Sequence, residues 1–462
     1  MPEITQYTGG ITELTAVQLS EFGARLEGEL LLPEDLGYDR ARTVWNAAID
    51  RRPAMIARCA NEADVVEAVR FARQNEILIS VRCGGHNIAG KAVVENGLMI
   101  DLTPICEVQV DPMNKIAIVG GGAALGALDR ATQKHGLATT AGVVTHTGVG
   151  GLTLGGGVGR LARKFGLACD NLISVDVVTA RGERITASIE DHPDLFWALR
   201  GGGGNFGIAT SFKFRLHDIG NEVIFAAATH RLASAKEALK AFMEFATSAP
   251  REVTSQASFA KMDDGTAVAN LGAVHIAPLD TAEATLAPLL NFGSPIATRL
   301  ETRPYVDVQS DADERFPYGQ RYYWKTHLIN KLPEDGIDAL IRSYEAVPGN
   351  RSMIILQQFG GAVRDVGPSD TAFANRDAEF DFIPAAIWHE GEDPASSIAW
   401  VRDTWENMNP YSCGVYMNGL GDGDDERLSD AVGANEARLR KVKTCYDPTN
   451  FFRLNTNILP AD

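Results

Sequence analysis

Val81-Arg82-Cys83-Gly84-Gly85-His86-Asn87-Ile88-Ala89-Gly90 follows Ile77-Leu78-Ile79-Ser80, an apolar run that reads as a buried strand. Glycines placed after a strand let backbone N–H groups converge on an anion that a Cβ would exclude, so the stretch predicts a phosphate-cradling turn. His86 stands at its tip, where a neutral imidazole nitrogen can act as a nucleophile or a base. Taken alone, Gly-Gly-His also suits an ordinary tight turn, and the segments downstream decide between the two.

The first of these is Thr140 to Gly159, which interleaves glycine with small apolar residues (Gly142, Val143, Val144, Thr147, Gly148, Gly151, Gly155, Gly157, Gly159). It is too apolar for a linker and too glycine-rich for the interior of a helix or strand. A flat ligand carrying a diphosphate explains it: bare N–H groups reach phosphate oxygens while ring faces pack on small side chains. A third glycine loop, Arg200 to Gly207, feeds the alternating strand that begins at Ile208. Three such loops within about 130 residues point to one extended ligand touched at several places. A Rossmann fingerprint is excluded, because Gly120-Gly121-Gly122-Ala123-Ala124-Leu125-Gly126 offers no register with glycines at i, i+2 and i+5.

Composition sets the frame. With 462 residues, two domains or three are expected, and 45% hydrophobic with 22% charged residues is globular. A net charge of -17 disfavours nucleic acid or an anionic membrane as partner. Met1 to Gln6 shows no basic stretch followed by an apolar one, so a cytoplasmic protein is expected. The six cysteines are scattered without a CxxC pair, which suggests reduced thiols and neither a disulfide framework nor a metal site.

Up to about residue 214 the texture mixes strands with helices, including a helix over Asn61 to Gln74 and another over Ala124 to Lys134. The first 45 residues carry no legible chemistry. From 215 to 413, strands (Val223 to His230, Ser255 to Lys261, Ala267 to Ile276, Tyr322 to Ile329, Met353 to Phe359) alternate with amphipathic helices, predicting a second domain built as a sheet with helices on one face. From 414 to 462, Val415 to Leu420 reads as a returning strand and Glu426 to Tyr446 as a helix, closed by Asp447-Pro448.

Four blocks, VRCGGHNIAG (81–90), GVGGLTLGGGVGRLARKFGLACDNL (148–172), FWALRGGGGNFGIATSF (196–212) and YDPTNFFRLNTNILP (446–460), resemble in order and spacing the berberine bridge enzyme-like group of the vanillyl alcohol oxidase flavoproteins, including bacterial oxidases of the 6-hydroxy-D-nicotine oxidase type. The resemblance implies a two-domain α+β chain: a PCMH-type FAD-binding domain over 1–214, a substrate domain over 215–413 with an antiparallel sheet covered by helices, and a C-terminal segment over 414–462 that returns to the first. It implies FAD held by Arg82, Cys83, Gly84, Gly85, His86, Asn87, Gly142, Val143, Thr147, Gly148, Gly151, Gly155, Gly157, Gly159, Gly207, Ile208, Asn455 and Asn457. His86 falls where the family carries its 8α-histidyl bond. Val144 falls where doubly tethered members have a cysteine, so one covalent bond is expected. Thr147 falls at the family's gate for dioxygen.

Oxidation of a small organic alcohol or amine needs a base for the departing proton beside a pocket that holds the carbon. Tyr416 and Asn418 match the start of the family's YxNY-like motif, while Gly419 replaces its second tyrosine and is expected to leave space for a larger substrate or another base. Tyr323 and Lys325 share a strand face, where the lysine is expected either to lower a tyrosine pKa or to bind a substrate carboxylate. Gln357 and His389 are weaker candidates. Reoxidation by dioxygen is the leading expectation, beside a dehydrogenase with another acceptor or a low-turnover flavin carrier.

Overall fold

The structure, a computed structural model, describes residues 3–276, 279–421 and 423–461. Near the N-terminus a four-stranded sheet runs in the order Glu29–Leu31, Met55–Arg58, Leu98–Asp101, Ile79–Arg82, with the last three parallel. The helix Glu62–Gln74 connects two of these strands. Its start is set by Asn61, whose side chain accepts from the Asp64 N–H at 3.1 Å, and it buries Val65, Val69 and Phe71. The glycine turn therefore leaves the C-terminal end of Ile79–Arg82, where parallel strands open toward a ligand. A second, five-stranded antiparallel sheet (order Arg184–Ser188, Leu172–Val178, Ile208–Arg215, Ile116–Gly120, Val108–Asp111) carries the third glycine loop at the entry to Ile208–Arg215.

The third sheet contains nine strands among the described residues, all antiparallel. Period-two alternation divides its faces. Ala257 and Phe259, Ile354 and Leu356, and Phe380 and Phe382 pack beneath the helices Ala235–Ser248, Leu279–Asn291, Glu334–Glu345 and Ala395–Met408. Their neighbours Gln256 and Ser258, Ile355 and Gln357, and Asp381 and Ile383 face the opposite way, onto a cavity shared with the first two sheets. The expected sheet with helices on one face is present.

Several elements depart from expectation. Tyr322 to Ile329 is two strands, Arg321–Trp324 and His327–Ile329, with Lys325 and Thr326 at the break. The expected strand over Val415 to Leu420 is a single turn at Met417–Gly419, in which the Gly419 N–H donates to Tyr416 O at 2.9 Å; the strand here is Ser412–Gly414. The long final helix breaks at Gly433, whose φ of 51° lies in the left-handed region, and restarts as Glu436–Tyr446. Phe380–Trp388, in the middle of the third sheet, escaped notice because Pro384 interrupts it, and proline normally argues against an inner strand.

The C-terminal segment is locked to the third glycine loop by a buried ion pair. Lys443 Nζ donates to Asp447 Oδ2 at 2.7 Å, to Asn205 O at 2.8 Å and to Phe452 O at 3.1 Å, and Asp447 accepts from the N–H groups of Phe451 and Phe452. Asn205 grips the tail as well, donating to Thr456 O and accepting from Ile458 N. We keep 1–214, 215–413 and 414–462 as a proposed division; the packing adds that Phe359, Val363 and Phe373 belong to the core of the first unit. Breaking a fully satisfied buried pair by removing one partner costs about 3–5 kcal/mol, so Lys443→Met is expected to lower the urea-unfolding free energy by that order, and an unchanged midpoint would contradict it.

Candidate active site

The glycine loops and the inner face of the third sheet enclose a cavity of about 590 Å³. Its construction depends on close main-chain contact. A Cβ on Gly84 would overlap the Gly148 backbone, and one on Gly148 would overlap Gly84 N and Cys83 Sγ. That contact brings His86 against His146 and Thr147: His86 Nε2 lies 2.7 Å from His146 Nδ1, and His86 Nδ1 lies 3.3 Å from Thr147 Oγ1. Trp45 stacks on the His86 ring at 4.8 Å and 15°, Tyr322 stacks on Trp45 at 3.9 Å, and the Tyr318 hydroxyl donates to Gly84 O. Burial, reinforced by the neighbouring His146, pushes the His86 pKa down to about 3, so the imidazole is neutral at physiological pH. Burial also lifts the Cys83 thiol to about 11, which keeps it protonated and unreactive.

Along the third sheet, Gln256, Gln357 and Asp381 stand in register on three neighbouring strands and face the cavity. Asp381 is buried and accepts a hydrogen bond from Thr326 Oγ1; burial raises its carboxyl to about 7, with the Thr326 bond pulling the other way. Across from the sheet, the Tyr416 oxygen accepts from Gly157 N at 3.0 Å and from Asn418 Nδ2 at 2.9 Å. Burial raises the Tyr416 pKa above its ordinary value, so the phenol is a hydrogen-bond donor in this site.

A family model described as an FAD binding domain matches residues 53–188, and one described as berberine and berberine like matches 426–459. An FAD-linked oxidoreductase from Dictyostelium discoideum is 34% identical over 447 residues, covering 96% of this chain and 97% of that one. This chain belongs to the berberine bridge enzyme-like FAD-linked oxidoreductases. The (R)-6-hydroxynicotine oxidase of Paenarthrobacter nicotinovorans is 31% identical over 456 residues, covering 94% of this chain and 97% of that enzyme. The crystal structure of 6-hydroxy-D-nicotine oxidase from Arthrobacter nicotinovorans superposes with a TM-score of 0.86 at 28% identity, covering 94% and 98% of the two chains.

The cavity suits the FAD of such an oxidoreductase. A Cβ added to Gly151 would meet no protein atom within 4 Å, so bare main chain there faces open volume, and the buried Nε2 of His146 has no hydrogen-bond partner among the described residues. Cys83, Gly84, Gly85, His86, Asn87, Gly142, Val143, Thr147, Gly148, Gly151, Gly207, Ile208 and Asn455 all line it. Five residues expected there lie behind its wall. Arg82 reaches Ala41 O instead. Gly155 is pressed against Asn418, Gly157 against Ala168 and Gly159 against Ala141 O, so these glycines serve packing. Asn457 is not among the lining residues, while Thr456 is.

Among the residues expected to react, Tyr416 and Asn418 reach the cavity but Tyr323 and Lys325 do not. That pair does share a face, the one under the helix Ala395–Met408: the Tyr323 hydroxyl accepts from Arg402 Nε, and Lys325 pairs with Asp424 above the Trp405 ring. Trp324 and Thr326 take the cavity side instead, and His389 is exposed. The space expected at Gly419 is filled, since a Cβ there would run into Thr326. Asp381 and Trp45 were missed; the legible signal for Asp381 was one carboxylate inside an apolar strand, and nothing local marks Trp45.

Gly148→Ala is expected to cost about 1–3 kcal/mol through main-chain overlap and to lower the yield of folded protein. Gly151→Ala is expected to leave the far-ultraviolet circular dichroism unchanged while lowering the ratio of flavin to protein absorbance. Equal flavin content in Gly151→Ala and wild type would show that the bare wall does not face the cofactor.

Proposed function

We propose that this oxidoreductase holds FAD through one covalent bond to His86 and oxidises a small organic alcohol or amine, with dioxygen as the electron acceptor, in the cytoplasm. The observation that carries the chemistry is Asp381, a buried carboxyl on the cavity wall whose pKa of about 7 suits a general base at neutral pH. Bound FAD supplies the acceptor for the hydrogen and electron pair leaving the substrate carbon. Asp381 takes the proton from the substrate O–H or N–H, and Thr326 holds the carboxyl in place for it. With two donors already on its oxygen, Tyr416 directs its own hydrogen to the substrate heteroatom, and Asn418 fixes that orientation. Gln256 and Gln357 offer amides to polar substituents, while Phe316, Ile355 and Ile383 enclose the carbon skeleton and exclude water.

A single tether is supported by Val144 on the cavity wall and by the protonated state of Cys83. The neutral His86 ring retains a nitrogen lone pair for bond formation. Thr147, which falls at the family's gate for dioxygen by resemblance, lies on the cavity wall beside His86; its volume is close to that of the valine found in oxidases, and its hydroxyl sets it apart from them.

In His86→Ala, all flavin is expected in the supernatant after acid precipitation; a yellow pellet would refute the tether. Substrate is to be found by screening alcohols and amines for bleaching of the flavin absorbance under anaerobic conditions. With the substrate so found, the reduction rate is expected to rise with pH through about 7, because Asp381 accepts a proton only when ionised, and Asp381→Asn should slow reduction about 100- to 10,000-fold and erase that limb. An unchanged rate in Asp381→Asn would remove Asp381 from the mechanism.

A further inference from the structure

Asp381, Gln357, Gln256, Gly272 and Ala227 are successive register partners across five neighbouring strands, and all five line the cavity. Neighbouring strands lie about 4.8 Å apart, so Gly272 stands about 14 Å from Asp381. The row changes character along its length. Asp381 and the two glutamines are polar, whereas Gly272 and Ala227 leave the floor almost bare: a Cβ on Gly272 would meet nothing closer than 3.8 Å. An elongated molecule with its reacting carbon at Asp381 therefore has room to extend to the far end.

Arg160 stands at that end. Leu161, next in the chain, packs in one cluster with Val223, Val274 and Tyr305, and Phe225 and Val274 line the cavity from the same two strands as Ala227 and Gly272. Arg160 itself lines the cavity, its Nε is covered without a hydrogen-bond partner, and its guanidinium makes no hydrogen bond or ion pair among the described residues. Asp311 favours its charge, but both oxygens of that carboxylate accept from Arg303, at 2.7 and 2.8 Å. An arginine stays cationic even where burial lowers its pKa, and a covered cation without a partner is costly. Among the described residues no protein group offsets that cost, whereas a bound anion does. A guanidinium presents paired N–H donors that match a carboxylate, and its single positive charge balances one negative charge better than the two of a phosphate. Arg315, exposed on the rim, adds a second positive charge on the way in. We propose that Arg160 binds the carboxylate of an elongated substrate whose alcohol or amine carbon lies at Asp381, so that the enzyme acts on acids. This rests on the reading of Asp381 as the base. The other anion this cavity would hold is the diphosphate of FAD, and the flavin content of a variant separates the two.

Calorimetric titration of the wild-type holoprotein with phenylalkanoates of increasing chain length, each beside its primary amide, tests the site without knowledge of the substrate. The acids are expected to bind about 10- to 100-fold more tightly than the amides, the size of a hydrogen bond to a charged group. Equal affinities, or binding of neither, would overturn the proposal. Arg160→Met is expected to keep the flavin-to-protein absorbance ratio of the wild type and to bind acid and amide alike, while Arg160→Lys, which keeps the charge without the paired donors, restores part of the preference. A preference for acids that survives in Arg160→Met would overturn the proposal, and so would loss of flavin, which would assign the guanidinium to the cofactor's diphosphate. Turnover is a separate outcome: acids that bind through Arg160, while no hydroxy- or amino-substituted acid bleaches the flavin without air, uphold the anion site and refute the oxidation reading.

Discussion

The main chain at Gly84 and Gly148 approaches so closely that neither residue tolerates a side chain. This contact joins the turn after a parallel strand to the start of the helix Val149–Leu154, and it fixes what the neighbours on each loop touch. His86 meets His146 and Thr147 because these two glycines meet. A histidine on a mobile loop would be solvated and partly protonated at neutral pH; here burial keeps it neutral, with a lone pair available. On the proposed reading of His86 as the tether, preorganisation of this kind places the nucleophile by backbone packing and needs no dedicated binding energy at the moment of reaction.

The other half of the site comes from the alternation of an antiparallel sheet. Every second residue of its inner strands is committed to the helices, so the intervening residues are available to the cavity whatever their chemistry. Most of those on Met353–Gln358 and Phe380–Trp388 are apolar, and Asp381 is the costly exception. A buried carboxyl with one hydroxyl partner resists ionisation, which raises its pKa into the working range of a base. Tyr416 is placed with comparable care from the far side by a one-turn kink that aims its ring at Gly157. The Lys443–Asp447 pair closes the cavity from behind by holding the tail against Asn205.

Much of the first wall was legible, because the helix ending at Gln74, the strand after it and the glycine turn carry strong local signals, and four ordered blocks identified the family. The glycine segment was read too uniformly. Gly151 faces open volume, yet Gly155, Gly157 and Gly159 are glycine because protein presses on them, and a sequence does not distinguish the two causes. Tyr323 and Lys325 show the limit of periodicity: it placed them on a common face but could not say which face meets the cavity. Gly419 shows a related limit, since the vacancy left by a missing side chain is occupied by Thr326, distant in sequence. Asp381 lay hidden in a strand that Pro384 disguises, and Trp45 finds His86 only through the fold.

The central claim is that the cavity at the Gly84–Gly148 contact holds FAD bonded to His86. Mass spectrometry of the denatured wild-type polypeptide, followed by peptide mapping, tests it most directly. The account predicts the mass of the chain plus one FAD less two hydrogens, with the modification on the peptide that contains His86. An unmodified chain, or a flavin carried on any other residue, would contradict it.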